Sequence, residues 1–426
     1  MRVLSRPETG RLLVHTVAVP DPGSLLERIP QPDVVAWVHH GAGLAGWGEA
    51  IRVTLPAGED RFTAGEKWLR SVFDAADVDD QVRVRGSGPV AFGTFTFDAS
   101  SDGSALIVPR VVLGRDGRGQ AWLTRVAEPG EPAHAGPGWP LPADSGLTEP
   151  TGLRWQDGSL PGPRWEQAVA EAVAAIKAGG LRKVVLARDV FGTADEPIDA
   201  RVLLRRLAVR YPDCFTFACD GMIGATPELL ISRDGQQVSA LVLGGTLPRG
   251  ADQAQDDALG AELLASAKNN EEHAYAVVSI REALQPLCET LEVEPRPALL
   301  KFPNLQHLGT RVRGTLAGGG TPKSALGLAA AVHPPAAVCG TPTGTALDLI
   351  RELEHMDRER YAGPVGWIDA EGNGEWGIAI RCAQLSGRTA RLFAGCGIVA
   401  GSQPAAELAE TLVKLQPMRD ALESRG

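Results

Sequence analysis

The chain of 426 residues holds only 6 cysteines, 4 methionines and 3 tyrosines, with aromatics at 5%. Cys214, Cys219, Cys288, Cys339, Cys382 and Cys396 are far apart and form no CxxC pair. That spacing excludes a disulfide-stapled scaffold and a thiolate zinc site, and it indicates buried thiols in a reducing compartment. An excess of positive charge is missing too: 42 Lys and Arg stand against 52 Asp and Glu, for a net charge of -10. Dispersed cations in an acidic chain argue against a nucleic-acid groove, but a few local cations can still hold a small anion. No run approaches the roughly 18 apolar residues of a membrane span. The opening MRVLSRPETGRLLVHTVAVP lacks the unbroken apolar core of a signal peptide. A cytoplasmic protein with no membrane and no nucleic-acid partner is expected.

With 44% hydrophobic residues, the chain can bury a large core. Residues 1–120 read as short strands and turns with weak patterning. They include a strand at Val34–Val38, a hairpin over Gly41–Ala50 and helical spacing over Phe62–Phe73. The Gly- and Pro-rich stretch 130–163 predicts a long loop. A helix over Trp165–Ala178 then ends at Gly179-Gly180. The strand Leu181–Arg188 places Lys183 on one face with Val185 and Ala187. A lysine there is either a snorkelling edge residue or a functional amine.

Further along, Leu203–Tyr211 predicts a helix, and Cys214–Ala218 and Met222–Ala225 predict strands. Glu228 follows Thr226-Pro227 and precedes Leu229-Leu230, a setting that suits a buried acid with a raised pKa better than a solvated one. After a strand at Leu241–Leu243, Gly244–Gly250 predicts a turn whose N–H groups and Thr246 hydroxyl meet an anion. Asp257–Leu287 is the longest helical pattern, and Asn269 and Glu272 are neighbours on one of its faces. Strands are expected at Val293–Leu300 and Val312–Leu316, with Leu305–Leu308 between them. Helices are expected at Ser324–Ala331 and Ala346–Met356. His333, before two prolines, reads as a structural histidine or a pocket wall.

The last quarter concentrates the chemistry. One apolar strand ends at Arg381, a second at Gly395-Cys396-Gly397, and a helix carries Glu407, Glu410 and Lys414 on roughly one face. Two helices offering carboxylates toward a shared point suit a hard divalent cation. Mg²⁺ takes oxygen ligands, keeps some waters and is completed by an anionic substrate. Arg381 can fork onto a carboxylate, and the glycines can present N–H groups to another. Together these residues suit a small di-carboxylate.

Six separated stretches resemble the chorismate-utilising enzymes, and within them the isochorismate synthases. They are Lys183–Arg188, Gly224–Leu230, Ser266–His273, Tyr361–Gly366, Gly374–Trp376 with Ile380–Ala383, and Ala394–Ile398 followed by Glu407–Thr411. The match spans roughly residues 160–420, in order. It implies an α+β fold with one large chorismate-binding domain over 1–426. Two similar halves would form antiparallel sheets packed as a core sandwich with helices outside, and residues 1–120 would complete it.

The family's general base falls on Lys183 and its general acid on Glu228. Its metal ligands fall on Glu272 and Glu410, with Glu407 as a further acidic ligand. Substrate-contacting positions fall on Tyr361, Arg381, Gly395, Gly397 and Lys414, and the reading of the residues adds Thr246 and His333 as substrate-binding candidates. The implied reaction is the Mg²⁺-dependent conversion of chorismate to isochorismate, by a monomer in menaquinone or siderophore biosynthesis. The nearest alternative is a salicylate synthase, which goes on to eliminate pyruvate and tends to carry an acid at Asn269. A non-catalytic chorismate binder is the alternative of another class. Two departures stand out: Gly245 replaces a usual alanine, and Leu247 replaces the arginine of a common GTRPRG turn.

Overall fold

The computed structural model describes residues 11–128, 146–318 and 323–424. Of the 130–163 stretch, residues 130–145 lie outside the described residues, and the remainder carries a short strand and the start of a helix where a loop was expected. The first 128 residues give β1 (Leu13–Val19), β2 (Val34–His39), β3 (Ala42–Leu55), α1 (Arg61–Ala75), β4 (Asp77–Asp80), β5 (Val90–Thr94), β6 (Ser104–Arg115) and β7 (Ala121–Ala127). Next come β8 (Arg154–Asp157), α2 (Gly162–Ala178), β9 (Lys183–Thr193), α3 (Ala200–Arg210), β10 (Phe215–Cys219) and β11 (Met222–Thr226). They are followed by β12 (Leu229–Asp234), β13 (Gln237–Pro248), α4 (Gln253–Ala265), α5 (Ala267–Leu284), β14 (Cys288–Val293), β15 (Ala298–Lys301) and β16 (Leu305–Leu316). The chain continues as α6 (Ala325–Val332), β17 (Gly340–Thr341), α7 (Thr343–Leu353), β18 (Pro364–Asp369) and β19 (Gly374–Ile378). It ends with β20 (Cys382–Ser386), β21 (Thr389–Ile398) and α8 (Pro404–Glu423).

The strands form two antiparallel wings that share β6. One wing runs β9-β21-β20-β11-β10-β2-β3-β6. The other runs β6-β5-β18-β19-β12-β13-β16. The first 128 residues therefore enter both wings, through β2 against β10 and β5 against β18. Their patterning is weak because so many of these strands are buried on both faces, as at Val90–Thr94. The core between the wings is built from large side chains such as Trp37, Phe217 and Trp376, each almost fully buried. Helices lie on the outer faces: α5 packs on β13, and α8 on β21 and α2.

Four expected elements differ. Gly244–Pro248 is not a turn but the bulged end of β13, its residues facing Leu305–Leu308 of β16 in the ladder. Its backbone therefore pairs with a neighbouring strand and does not form an anion nest. The long helical pattern divides at Ser266, which leaves helical geometry and caps α5 by accepting from the Asn269 N–H. The strand expected at Val293–Leu300 is two strands, and Leu305–Leu308 joins Val312–Leu316 as one.

Candidate active site

The chain crosses between the wings twice within the site. Pro227-Glu228 links β11 to β12, and Ala379–Arg381 links β19 to β20. The crossings are tied together: Ile378 N–H donates to Glu228 O and Ala225 N–H to Arg381 O, each at 3.2 Å. Arg381 adopts a φ of 51°, in the left-handed region that a non-glycine residue occupies rarely. These links fix Glu228 and Arg381 relative to one another before any side chain is considered.

Lys183 opens β9 and is fully buried. Among the described residues its Nζ has no hydrogen-bond partner, and its nearest acidic oxygen is Glu272 Oε1 at 3.4 Å. Glu228 is 6% exposed. Burial pushes its carboxyl up to about 7, against the pull of Lys183, Arg381 and the Leu243 N–H. The carboxyl thus shares one electrostatic environment with Lys183 and Arg381. It holds its proton into the neutral range, which is the state a general acid needs.

The carboxylates gather from α5 and α8. Side-chain ligand atoms of Glu407, Glu410 and Cys396 lie within 4.8 Å of one another. Glu272 lies outside that tight group and borders Gly397 of β21, where a Cβ would fall 2.0 Å from Glu272 Oε1 and 3.0 Å from Lys183 Cε. Glycine at 397 keeps the space between these two side chains open. The Cys396 thiol is pushed well above its usual range by burial and then by Glu410, and it donates to Glu407 O. Besides this thiol, the group offers the carboxylate oxygens of Glu407 and Glu410. Carboxylate oxygens of this kind suit a hard divalent cation. Each acid also faces an ammonium: Lys268 Nζ is 2.7 Å from Glu407 Oε1 and Lys414 Nζ is 2.5 Å from Glu410 Oε1. Lys414 also donates to Gly395 O at 2.9 Å.

Arg381 meets a residue that sequence reasoning missed. Its Nη2 lies 3.3 Å from His307 Nε2. His307 Nδ1 lies 3.0 Å from Thr246 Oγ1 and 3.2 Å from Gly245 O. Burial, then Arg381 and Lys414, hold this imidazole well below its ordinary pKa, so it is neutral. A guanidinium only donates, so Nε2 accepts from Arg381 and Nδ1 carries the proton. Thr246 therefore belongs to the site through His307. Gly245 has a φ of 64°, and a Cβ there would fall 2.9 Å from Asn269 Cβ. This close approach of α5 accounts for glycine in place of alanine.

Tyr361 is buried and stacks on Phe393 with ring centroids 5.0 Å apart. A Cβ on Gly395 would come to 3.1 Å from its hydroxyl. His333 corrects an expectation. Its Nε2 bonds Phe97 O at 3.1 Å, its ring lies against Phe62 and Phe97, and burial lowers its pKa to about 3. Those neighbours belong to the N-terminal core, so His333 is a packing residue there and not a substrate contact.

Behind β9, Glu354 Oε1 accepts from Ala187 N–H at 2.7 Å, and Arg358 Nη2 donates to Val185 O at 2.7 Å. The two side chains also pair with each other, and both are buried. They take over the edge bonding of β9 where β17 ends, and so hold the strand that carries Lys183.

The family model for chorismate binding enzyme matches residues 148–423. Isochorismate synthase DhbC of Bacillus subtilis is 43% identical over 269 residues, covering 61% of this chain and 67% of that protein. The salicylate biosynthesis isochorismate synthase of Pseudomonas aeruginosa is 35% identical over 421 residues, covering 93% and 86%. Among solved structures, the menaquinone-specific isochorismate synthase MenF of Escherichia coli superposes with a TM-score of 0.78 at 26% identity, covering 97% of this chain and 95% of that one. A matched family model over most of the length, relatives of that identity, and the shared α+β architecture place the chain in one family: it belongs to the chorismate binding enzymes and groups with their isochorismate synthases.

Proposed function

We propose that this protein converts chorismate to isochorismate. Two buried groups carry the proposal: the Lys183 amine and the proton-holding Glu228 carboxyl, from separate strand ends, share a site with Arg381. Lys183 takes a proton from a water as that water forms a bond to C2 of the ring. The double bonds shift, the C4–O bond breaks, and Glu228 gives its proton to the departing oxygen, which leaves as water. One water enters and one leaves, so the product is an isomer. Afterwards Lys183 and Glu228 must exchange protons with solvent to reset.

Arg381, aimed by His307, forks onto one substrate carboxylate. Tyr361, Gly395, Gly397, Thr246 and Lys414 complete the walls. Glu272, Glu407 and Glu410 would hold Mg²⁺, which when bound offsets the ring carboxylate's charge and draws electron density from the ring. Support comes from the relatives named above, which are called isochorismate synthases. We place the enzyme in the cytoplasm as a monomer of one domain. Among the described residues no helix is long and apolar enough to cross a membrane.

Incubation with chorismate and Mg²⁺, followed by chromatography of the products, tests this directly. Isochorismate as the accumulating product supports it. Salicylate with pyruvate would reassign the chain as a salicylate synthase, and unconsumed chorismate would make it a binder.

A further inference from the structure

The metal-ligand candidates are already compensated. Glu272, Glu407 and Glu410 each face one ammonium, from Lys183, Lys268 and Lys414 respectively. Lys183 and Lys414 have other work: the first opens β9 inside the pocket, and the second bonds Gly395 O. Among the described residues, Lys268 bonds Glu407 alone, 2.7 Å away. It sits in the first turn of α5, whose exposed N–H groups repel a cation. That turn is an unfavourable place for a lysine unless a partner holds it there. Glu407, in contrast, is 2% exposed, and the Lys268 ammonium lies against its carboxylate. Lys268 remains 37% exposed at its side chain, so its ammonium has a route to solvent.

We propose that Lys268 is the resident counter-ion of Glu407 and that an incoming divalent cation displaces it. This rests on Glu407 being a metal ligand. Metal and ammonium then compete for one carboxylate, and the Lys268–Glu407 bond between α5 and α8 is a strap that opens when the metal enters. The strap sets how tightly the free enzyme holds its metal and keeps the two acidic helices together before it arrives.

Mn²⁺ alone, without substrate, is the probe. Its affinity is measured by calorimetry for the wild type and for Lys268→Met, and reductive methylation of Lys268 in the wild type is followed by mass spectrometry with and without Mn²⁺. Removing a competing ion pair worth one or two kcal/mol is expected to tighten Mn²⁺ by roughly 5- to 30-fold. Saturating Mn²⁺ is expected to raise the methylation rate of Lys268 several-fold, a readout that needs no variant to fold. An unchanged or weaker Mn²⁺ affinity in Lys268→Met overturns the proposal, as does a methylation rate that stays level or falls with metal. Failure of the wild type to bind Mn²⁺ at all would instead overturn the metal site itself.

Discussion

Replacing Glu228 with glutamine separates stability from catalysis in a way the structure makes quantitative. In the folded protein burial raises this carboxyl from 4.5 to about 7. Each pKa unit is worth about 1.4 kcal/mol, so the displacement amounts to about 3 kcal/mol between the two protonation states. The sign follows from proton counting. Between those pKa values the folded state binds more protons than the unfolded one, so the group's contribution is full below 4.5 and is lost as pH rises through 7. Glutamine keeps the size and hydrogen-bonding capacity but cannot ionise, so it removes the loss. For 426 residues, an unfolding entropy of roughly 2.1 cal/mol/K per residue makes 1 kcal/mol about 1 °C in Tm. The Tm of Glu228→Gln relative to wild type is therefore expected to rise by about 3 °C between pH 4.5 and 8, measured by scanning calorimetry. Turnover should fall by about 10²- to 10⁴-fold over the same range, because the proton donor is gone. Parallel Tm profiles for the two proteins would refute the buried, proton-holding carboxyl, and so would undiminished turnover.

Two further substitutions probe the walls of the pocket. Gly397→Ala puts a methyl 2.0 Å from Glu272 Oε1. It should lower kcat/KM by about 100-fold, the cost of an ångström-scale misplacement, while circular dichroism stays native; wild-type kinetics would contradict the cradle. His307→Leu removes the acceptor that aims Arg381. Loss of one hydrogen bond to a charged group should raise KM for chorismate about tenfold with kcat little changed, and an unaltered KM would show that Arg381 is held by other means.

Much of the candidate site was legible because its residues sit where their type is locally out of place. Lys183 on an apolar strand left an edge residue and a functional amine both open, while Glu228 between a proline and two leucines suited a buried acid. Both are buried in the structure. Glu407 and Glu410 were legible as helix neighbours three residues apart. What could not be read was anything set by a distant partner. Gly244–Pro248 has turn composition, yet β16 supplies a ladder that makes it strand. His307 alternates normally within β16 and carries no local mark; its meaning comes from Arg381, 74 residues away. His333 stands in a conspicuous His-Pro-Pro, but its ring is claimed by Phe62 and Phe97 from the N-terminal part. The break at Ser266 was hidden because serine is tolerated inside helices and marks a cap only when the preceding helix has ended.

The proposed chemistry turns on a water, activated by Lys183, becoming the new hydroxyl while Glu228 releases the old one. Turnover of chorismate in ¹⁸O-labelled water, with the product analysed by mass spectrometry, tests that exchange in one measurement. Isochorismate carrying one heavy oxygen at C2 is expected. Unlabelled isochorismate would mean that the original hydroxyl migrates, and would leave the Lys183 amine without a water to activate.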